Sequence, residues 1–438
     1  MLCRIIAFMS VAAVNVVLSF EDARRVVEGQ AELIRASQVG EGRTESVELL
    51  AAAGRILFEP VLADRDIPPF ARSTRDGYAV RSADLSRLPA TLAVIGEIRA
   101  GEQFDKIPNN LGSGQAASIM TGAPVPTGAD AVVMVEYSSQ LDAKSGARVE
   151  IRRGVDAGEN IVPRGAEARA GACLIERRAR MNAAAVALAA SAGKAQLQVY
   201  KRPRVAVLST GDELVDVETT PGPTQIRNSN SYSLAAQILS AGGEPVLLGV
   251  APDESQGLRR LIDDGLKADL LLMTGGVSMG RYDLVEQVLT EMSAEFFFTG
   301  AKIQPGRPIV FGKCGAGSQS RAGRATYFFG LPGNPVSTMV TFEIFARPVL
   351  EALTGQSARK LQFLHARLKR EISVKTGLKR FLPAILSGEF EDSQVELVAW
   401  QGSGDIAATA RANCYIVIPE DRERIAAGEW VAVMRSDW

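Results

Sequence analysis

The stretch Leu270–Asp283, LLLMTGGVSMGRYD, begins as an apolar run and ends in glycines, hydroxyls, an arginine and an acid. The run stops at Thr-Gly-Gly and is followed by YDLVEQVLTEM, whose apolar spacing is helical. A buried strand that passes through a glycine turn into a helix is how a parallel sheet brings backbone N–H groups to a ligand at its carboxyl edge. Unpaired N–H groups and the helix dipole both favour negative charge there. Thr274, Gly275, Gly276, Ser278 and Gly280 are therefore candidate anion-holding positions. The string is neither G-x-G-x-x-G nor G-x-x-x-x-G-K-[ST], so the dinucleotide and P-loop readings do not apply directly.

Outward from this stretch, from Arg204 onward, the chain alternates. VAVLST, EPVLLGV, DLLLMTGG, AEFFFTG and RATYFFGLPG read as strands, with SLAAQILSAGG, DESQGLRRLIDDGLK, DLVEQVLTEM and VSTMVTFEIFARPVLEALTG as helices between or after them. Strands separated by helices of this length are parallel, which predicts a doubly wound α/β domain over residues 201–355. Its loops converge at one sheet edge, so TGDEL, QIRNSN and TGGVSMGRYD can bring Asp212, Glu213, Asn228 and Asp283 to one site. A fourth turn, GLPGNPVS, has φ fixed at Pro332 and Pro335, while Gly333 permits close backbone approach. Paired acids beside phosphate-binding turns suit a bridging Mg²⁺, which takes one or two carboxylates plus phosphate oxygens. Asp212 reads equally well as a helix N-cap.

The flanks differ in texture. FEDARRVVEGQAELIRAS, from Phe20, is an amphipathic helix, and helical texture returns at MNAAAVALAASAG from Met181. Between them lie short apolar segments broken by Gly, Pro and Asn, which predicts a β-rich domain at 47–153 inserted into a helical domain of residues 18–46 and 154–200. In the β-rich region Arg72, Arg75 and Arg81 surround Asp76, and Thr121 sits on a proline-stiffened loop. Such arginines hold a second anion or form a solvated turn, and sequence physics does not choose. Residues 356–438 are again β-like, with the turns of a small barrel.

Composition bounds the function. A chain of 438 residues, 46% hydrophobic, can bury several cores, and its length suggests about two to four domains. A net charge of −1 argues against nucleic-acid binding by bulk electrostatics. Cys3, Cys173, Cys314 and Cys414 stand far apart and read as buried thiols in a reducing, cytoplasmic setting. His365, the single histidine, all but excludes a catalytic triad or a multi-histidine metal site. The N-terminal MLCRIIAFMSVAAVNVVLSF reads either as a weak export signal or as residues ahead of a start at Met9, and is too short to span a bilayer comfortably.

RDGYAVR, MTGAPVPTGADAVVMVE, VAVLSTGDEL, QIRNSN, TGGVSMGRYD, PGRP and GLPGNPVS, in this order, closely resemble the molybdopterin molybdenumtransferase family, which includes the gephyrin E-domain. The resemblance runs from about Leu18 to the C-terminus. It implies four domains, the α/β one of molybdopterin-binding type, and a homodimer whose site lies between the α/β domain of one subunit and the β-rich domain of the other. It also implies the reaction: adenylylated molybdopterin and molybdate give molybdenum cofactor and AMP, with Mg²⁺. No membrane or nucleic-acid partner is implied, but transient contacts with other molybdenum cofactor enzymes are. Family positions map onto Asp76, Thr121, Asp212, Asp283, Pro332 and Pro335, with Asp212 and Asp283 toward the metal. The chain departs from many relatives in having Asn228 for aspartate, and Gln304 and Arg307 for lysines. Lys302 and Arg307, flanking Pro305-Gly306, are then the expected molybdate holders. A molybdopterin adenylyltransferase, resembling the α/β domain alone, and a non-catalytic pterin-binding scaffold are the rival readings.

Overall fold

The computed structural model describes residues 16–37, 43–108, 110–141, 146–252, 254–275, 284–315, 325–357, 360–389 and 391–436. Contacts divide the chain into two compact units. One takes in the chain up to Glu45, Gly54–Ile56 and everything from Val199; the other is Ser46–Ala53 with Leu57–Gln198.

The first unit is built on a six-stranded sheet in the order Glu244–Ala251, Arg204–Thr210, Leu270–Thr274, Thr326–Leu331, Val310–Cys314, Glu295–Phe298. The first four strands are parallel. The last two pair antiparallel, and Val310–Cys314, which follows directly on a proline-rich turn, is a strand the apolar pattern did not announce. Both faces of the sheet are covered, which is why its central strands read as unbroken apolar runs. Val205, Val207, Leu270 and Leu272 point into one core, roofed by Phe20–Ser37, Asn230–Ser240 and the helical stretch from Pro335 to Leu353. Ala206, Leu208, Leu271 and Met273 point into the other, under Ser255–Gly265 and Leu284–Glu291.

Five C-terminal strands close a barrel in the order Lys379–Ser387, Gln394–Leu397, Leu364–Leu368, Trp430–Arg435, Cys414–Ile418, and back to the first. Alternate residues such as Ala366, Leu382, Ala384, Ile416 and Val433 fill it. Ile303–Gln304 adds to its rim, parallel to Lys379–Arg380. Where the chain leaves this unit and where it returns are neighbours, since the Lys201 N–H donates to the Arg43 carbonyl at 2.8 Å.

The helix after Leu331 contains one interruption with a clear cause. Pro348 has no N–H for the carbonyl of Ile344 four residues back and would clash with it. The backbone responds with a π-turn over Phe342–Ala346. The freed Ile344 carbonyl accepts from the guanidinium of Arg24, itself only 6% exposed, on the N-terminal helix. Arg24 also pairs with Glu28 at 2.7 Å, and burial lowers its pKa below the usual guanidinium value. That N-terminal helix is capped by Ser19, whose Oγ accepts from the Asp22 N–H at 3.1 Å.

The second unit holds a mixed six-stranded sheet, Ala131–Met134, Gly77–Val80, Gln115–Ile119, Ala90–Ile98, Arg148–Ile151, Ser138–Leu141. Tyr78 and Val80 face one core and Ala79 the other, the alternation of a sheet covered on both sides. Of residues 154–198, only Ala183–Ser191 forms a helix, capped by Asn182, whose Oδ1 accepts from the Ala185 N–H at 2.9 Å. Short ladders join Val61–Leu62 to Cys173–Ile175 and Arg72–Ser73 to Ile161–Val162.

Arg24→Met keeps the length of the buried side chain but leaves the Ile344 carbonyl without a donor and Glu28 without a partner. A loss of about 1–3 kcal/mol is expected. Trp400 and Trp430 belong to the first unit and residues 46–198 contain no tryptophan, so a urea titration read by fluorescence reports the first unit directly; an unchanged midpoint would refute the assignment.

Candidate functional site

The register of the parallel strands sets the first unit's edge. Ser209 pairs with Thr274, and Thr274 with Leu331, so three strands end at one level and their turns meet. Gly275 follows at φ +88°, and a Cβ there would lie 2.3 Å from the Thr210 carbonyl oxygen. Only glycine permits that approach. The Cβ position of Gly333 lies 3.6 Å from the Gly275 Cα, so the GLPGNPVS turn abuts the TGG turn.

Side chains fasten these turns. The Thr274 hydroxyl donates to the Pro332 carbonyl at 3.1 Å, and that of Thr338 donates to the same oxygen at 2.5 Å. Asn230 Nδ2 donates to Thr274 Oγ1 at 2.9 Å and to the Gly333 carbonyl at 2.7 Å. Pro335 occupies the first turn of its helix, and the next free N–H, that of Val336, donates to the Ser403 carbonyl at 3.0 Å. Asn334 Nδ2 reaches Ser403 Oγ at 2.9 Å, so a barrel loop supports this turn.

TGDEL and QIRNSN are joined by a short parallel ladder, Leu214–Val215 with Ile226–Arg227. It brings Asn228 back under the end of the Arg204–Thr210 strand while Asp212 and Glu213 stay exposed. Asn228 is buried and belongs to a ring. The Ser209 hydroxyl donates to its Oδ1 at 3.1 Å, its Nδ2 donates to Ser231 Oγ at 2.9 Å, and the two serine oxygens stand 2.9 Å apart. The Ser231 N–H also donates to Asn228 Oδ1, at 3.2 Å. Two nearby polar atoms, Thr210 Oγ1 and Asn230 Oδ1, are buried without a partner among the described residues.

The KIQPGRP turn is a second cluster of the same unit. Ile303 is buried and Lys302 and Gln304 are exposed, the alternation of an edge strand; Arg307 is exposed after a left-handed Gly306. A Cβ at 306 would come within 2.4 Å of Thr341 Cγ2, so this turn packs on the helix that begins at Pro335. Across the ladder from Gln304 stands Arg380, only 6% exposed, donating to the Leu378 carbonyl at 3.1 Å and paired with no acid among the described residues. Burial lowers its pKa. Sequence reasoning missed Arg380, Asn230 and Ser403; a basic residue opening the apolar strand RFLPAIL, and a polar NSNS run opening an apolar helix, were the available signals.

In the second unit, Asp76 Oδ1 accepts from the Thr121 N–H at 2.6 Å and from the Thr121 hydroxyl at 2.8 Å. The backbone bond and then the hydroxyl hold this exposed carboxyl below the usual range. Arg72 pairs with Glu167 at 3.2 Å, while Arg75 and Arg81 carry no ion pair among the described residues. Gly276, Ser278, Gly280 and Asp283 lie outside the described residues, as does Cys3. Cys314 and Cys414 are buried, but Cys173, expected to be buried, is exposed at the margin of a two-stranded ladder.

Three family profiles match the chain: the MoeA N-terminal region (domain I and II) over residues 18–193, a probable molybdopterin binding domain over 206–352, and the MoeA C-terminal region (domain IV) over 365–435. A molybdopterin molybdenumtransferase of Nostoc sp. is 35% identical, with 90% of this chain and 88% of that protein covered. One from Haemophilus influenzae is 33% identical over 89% of this chain and 93% of its own length. A crystal structure of a molybdopterin biosynthesis MoeA protein from Pyrococcus horikoshii matches with a TM-score of 0.70 at 31% identity, covering 96% of this chain and all of that one. The chain belongs to the molybdopterin molybdenumtransferase family, and is a transferase of molybdenum cofactor biosynthesis. No helix among the described residues is long and apolar enough to cross a membrane.

Thr121→Val removes the hydroxyl donor and keeps the backbone one, so the pKa of Asp76 is expected to rise toward that of an ordinary aspartate. The depressed pKa stabilises the fold above the unfolded aspartate pKa, and this contribution is lost as pH falls through the folded value. Carboxyl NMR titration of both proteins checks this; identical titration curves would show that the hydroxyl does not matter.

Proposed function

We propose that the chain inserts molybdate into adenylylated molybdopterin with release of AMP. The observation that carries this is the meeting of the TGG and GLPGNPVS turns at one sheet edge, fastened through Thr274, Asn230 and Gly333. A polyanionic pterin nucleotide is the natural occupant of N–H-rich turns placed there.

Mg²⁺ suits the oxygen-donor chemistry of this edge. Among the described residues no group of three or more His, Cys, Asp or Glu gathers as a cage. A hard-oxygen site with one or two carboxylates and substrate phosphate oxygens is what Mg²⁺ accepts. Asp212 and Asp283 would hold it, where it would neutralise charge on the phosphoanhydride. The chain's own residues do the rest: Thr274 and Gly275 fix the nucleotide phosphates, and Pro332, Gly333 and Pro335 set the neighbouring wall. Asn228 contributes through the ring beneath them. Molybdate is held at the KIQPGRP turn by Lys302 and Arg307, with the buried Arg380 adding a cation that stays charged near neutrality.

The active form is a homodimer in the cytoplasm, in which Asp76, Thr121 and Arg75 and Arg81, without an ion pair among the described residues, complete from one subunit the edge of the other. Transient contacts with other molybdenum cofactor enzymes deliver and collect the pterin.

The test is purified protein with adenylylated molybdopterin and molybdate, following AMP. Asp283→Asn is expected to remove most AMP release, and mixing it with inactive Asp76→Asn should restore part of it. No release by the wild type would end the proposal, and no recovery in verified heterodimers would end the shared site.

Lys302→Ala and Arg307→Ala should each raise half-saturating molybdate by about 10-fold, the loss of roughly one charge-assisted contact. Unchanged molybdate dependence in both variants would move the oxyanion elsewhere.

A further inference from the structure

We infer that Asn230 is a positioning residue that couples the Thr274–Gly275 turn to the Pro332–Gly333 turn, so that the two halves of the nucleotide site act as one. This rests on the function proposed above.

The base of the coupling is rigid. Asn230 opens the helix Asn230–Ser240, and Asn228, two residues before it, and Ser231, the next residue, are locked to Ser209. With the Ser209 proton directed at Asn228 Oδ1, and Asn228 Nδ2 directed at Ser231 Oγ, the Ser231 proton goes to Ser209 Oγ, and the three bonds close a ring. Networks of this kind strengthen one another in a low-dielectric interior.

From this base the Asn230 amide uses both of its hydrogens, one on Thr274 Oγ1 at 2.9 Å and one on the Gly333 carbonyl at 2.7 Å. The single proton of Thr274 passes on to the Pro332 carbonyl at 3.1 Å. A triangle results: amide to hydroxyl, hydroxyl to one end of the GLPGNPVS turn, amide to the next residue of it. The amide cannot be turned over, because Oδ1 would then face the Gly333 carbonyl, two acceptors with no proton between them.

Asn230 Oδ1 meanwhile is buried with no partner among the described residues. An orphaned buried carbonyl costs about 1–3 kcal/mol, so its acceptor does not account for asparagine here. The paired donors do: serine or threonine offers one hydrogen, and aspartate offers none and repels the Gly333 carbonyl.

The experiment is a double-mutant cycle on AMP affinity, measured by calorimetry with Asn230→Ala, Thr274→Val and the double variant. Each single variant is expected to weaken AMP about 10-fold, and the double variant by little more than either alone, because both break the same triangle. Thr274→Ser, which keeps the hydroxyl, should stay within about 2-fold of wild type. In turnover, KM for the pterin nucleotide rises while half-saturating molybdate is unmoved. A double variant weakened by the product of the two singles, or Thr274→Ser as weak as Thr274→Val, would overturn the coupling. If Asn230→Ala does not fold, Asn230→Ser, which keeps a single donor, takes its place in the cycle with the same expected non-additivity. Wild type that neither binds AMP nor releases it from the pterin nucleotide would remove the underlying function instead.

Discussion

The carbonyl oxygen of Thr210 leaves no room for a side chain at residue 275. That close approach, with Gly275 at φ +88°, fixes where the third strand must turn once the parallel register has brought Ser209 level with Thr274. The next strand ends at the same height, so the Pro332–Gly333 turn has nowhere to lie except against it. Hydrogen bonds from Thr274, Thr338 and Asn230 then secure a geometry that steric exclusion has already chosen. The energies follow the same order: hard-core repulsion is prohibitive, whereas each of these bonds is worth about 1 kcal/mol net.

The fold was legible to the extent that burial writes itself into local pattern. Val205–Leu208 and Leu270–Met273 are buried on both faces and read as unbroken apolar runs. Phe20–Ser37 buries Phe20, Ala23, Val27, Ala31 and Ile34, a helical stripe, and was read as one. Val310–Cys314 was missed because it is short, contains Gly312 and Lys313, and pairs antiparallel without a helix to mark its boundaries. At the site, glycine and proline turns were legible because they are local. Asn230 was not, since its partners lie 44 and 103 residues away, and Arg380 was not, since its burial is set by a strand pairing with Gln304. Cys173 was misjudged because three residues at a ladder margin leave it exposed, a matter of edges that composition does not carry.

Asn228 shows how an amide can close a buried polar ring without bringing in charge. A carboxylate at this position would accept from both serines and bring a negative charge to a buried place beneath the sheet edge. The amide accepts from Ser209 and donates to Ser231, so the ring closes without charge. The end of the Arg204–Thr210 strand therefore carries no buried charge from this position, and the carboxylates of Asp212 and Glu213 stay on the exposed loop.

The hydrogen bond between Lys201 and Arg43 bears on how such a chain could have been assembled. The chain leaves the first unit at Ser46, rejoins it over Gly54–Ile56, where the Tyr200 N–H donates to the Ile56 carbonyl as a second backbone stitch, and returns to it finally at Val199. For a flexible loop each doubling of length costs only about 0.6 kcal/mol of closure entropy. Both stitches at the neck join residues of the first unit alone, so holding it closed draws on none of the second unit's own contacts.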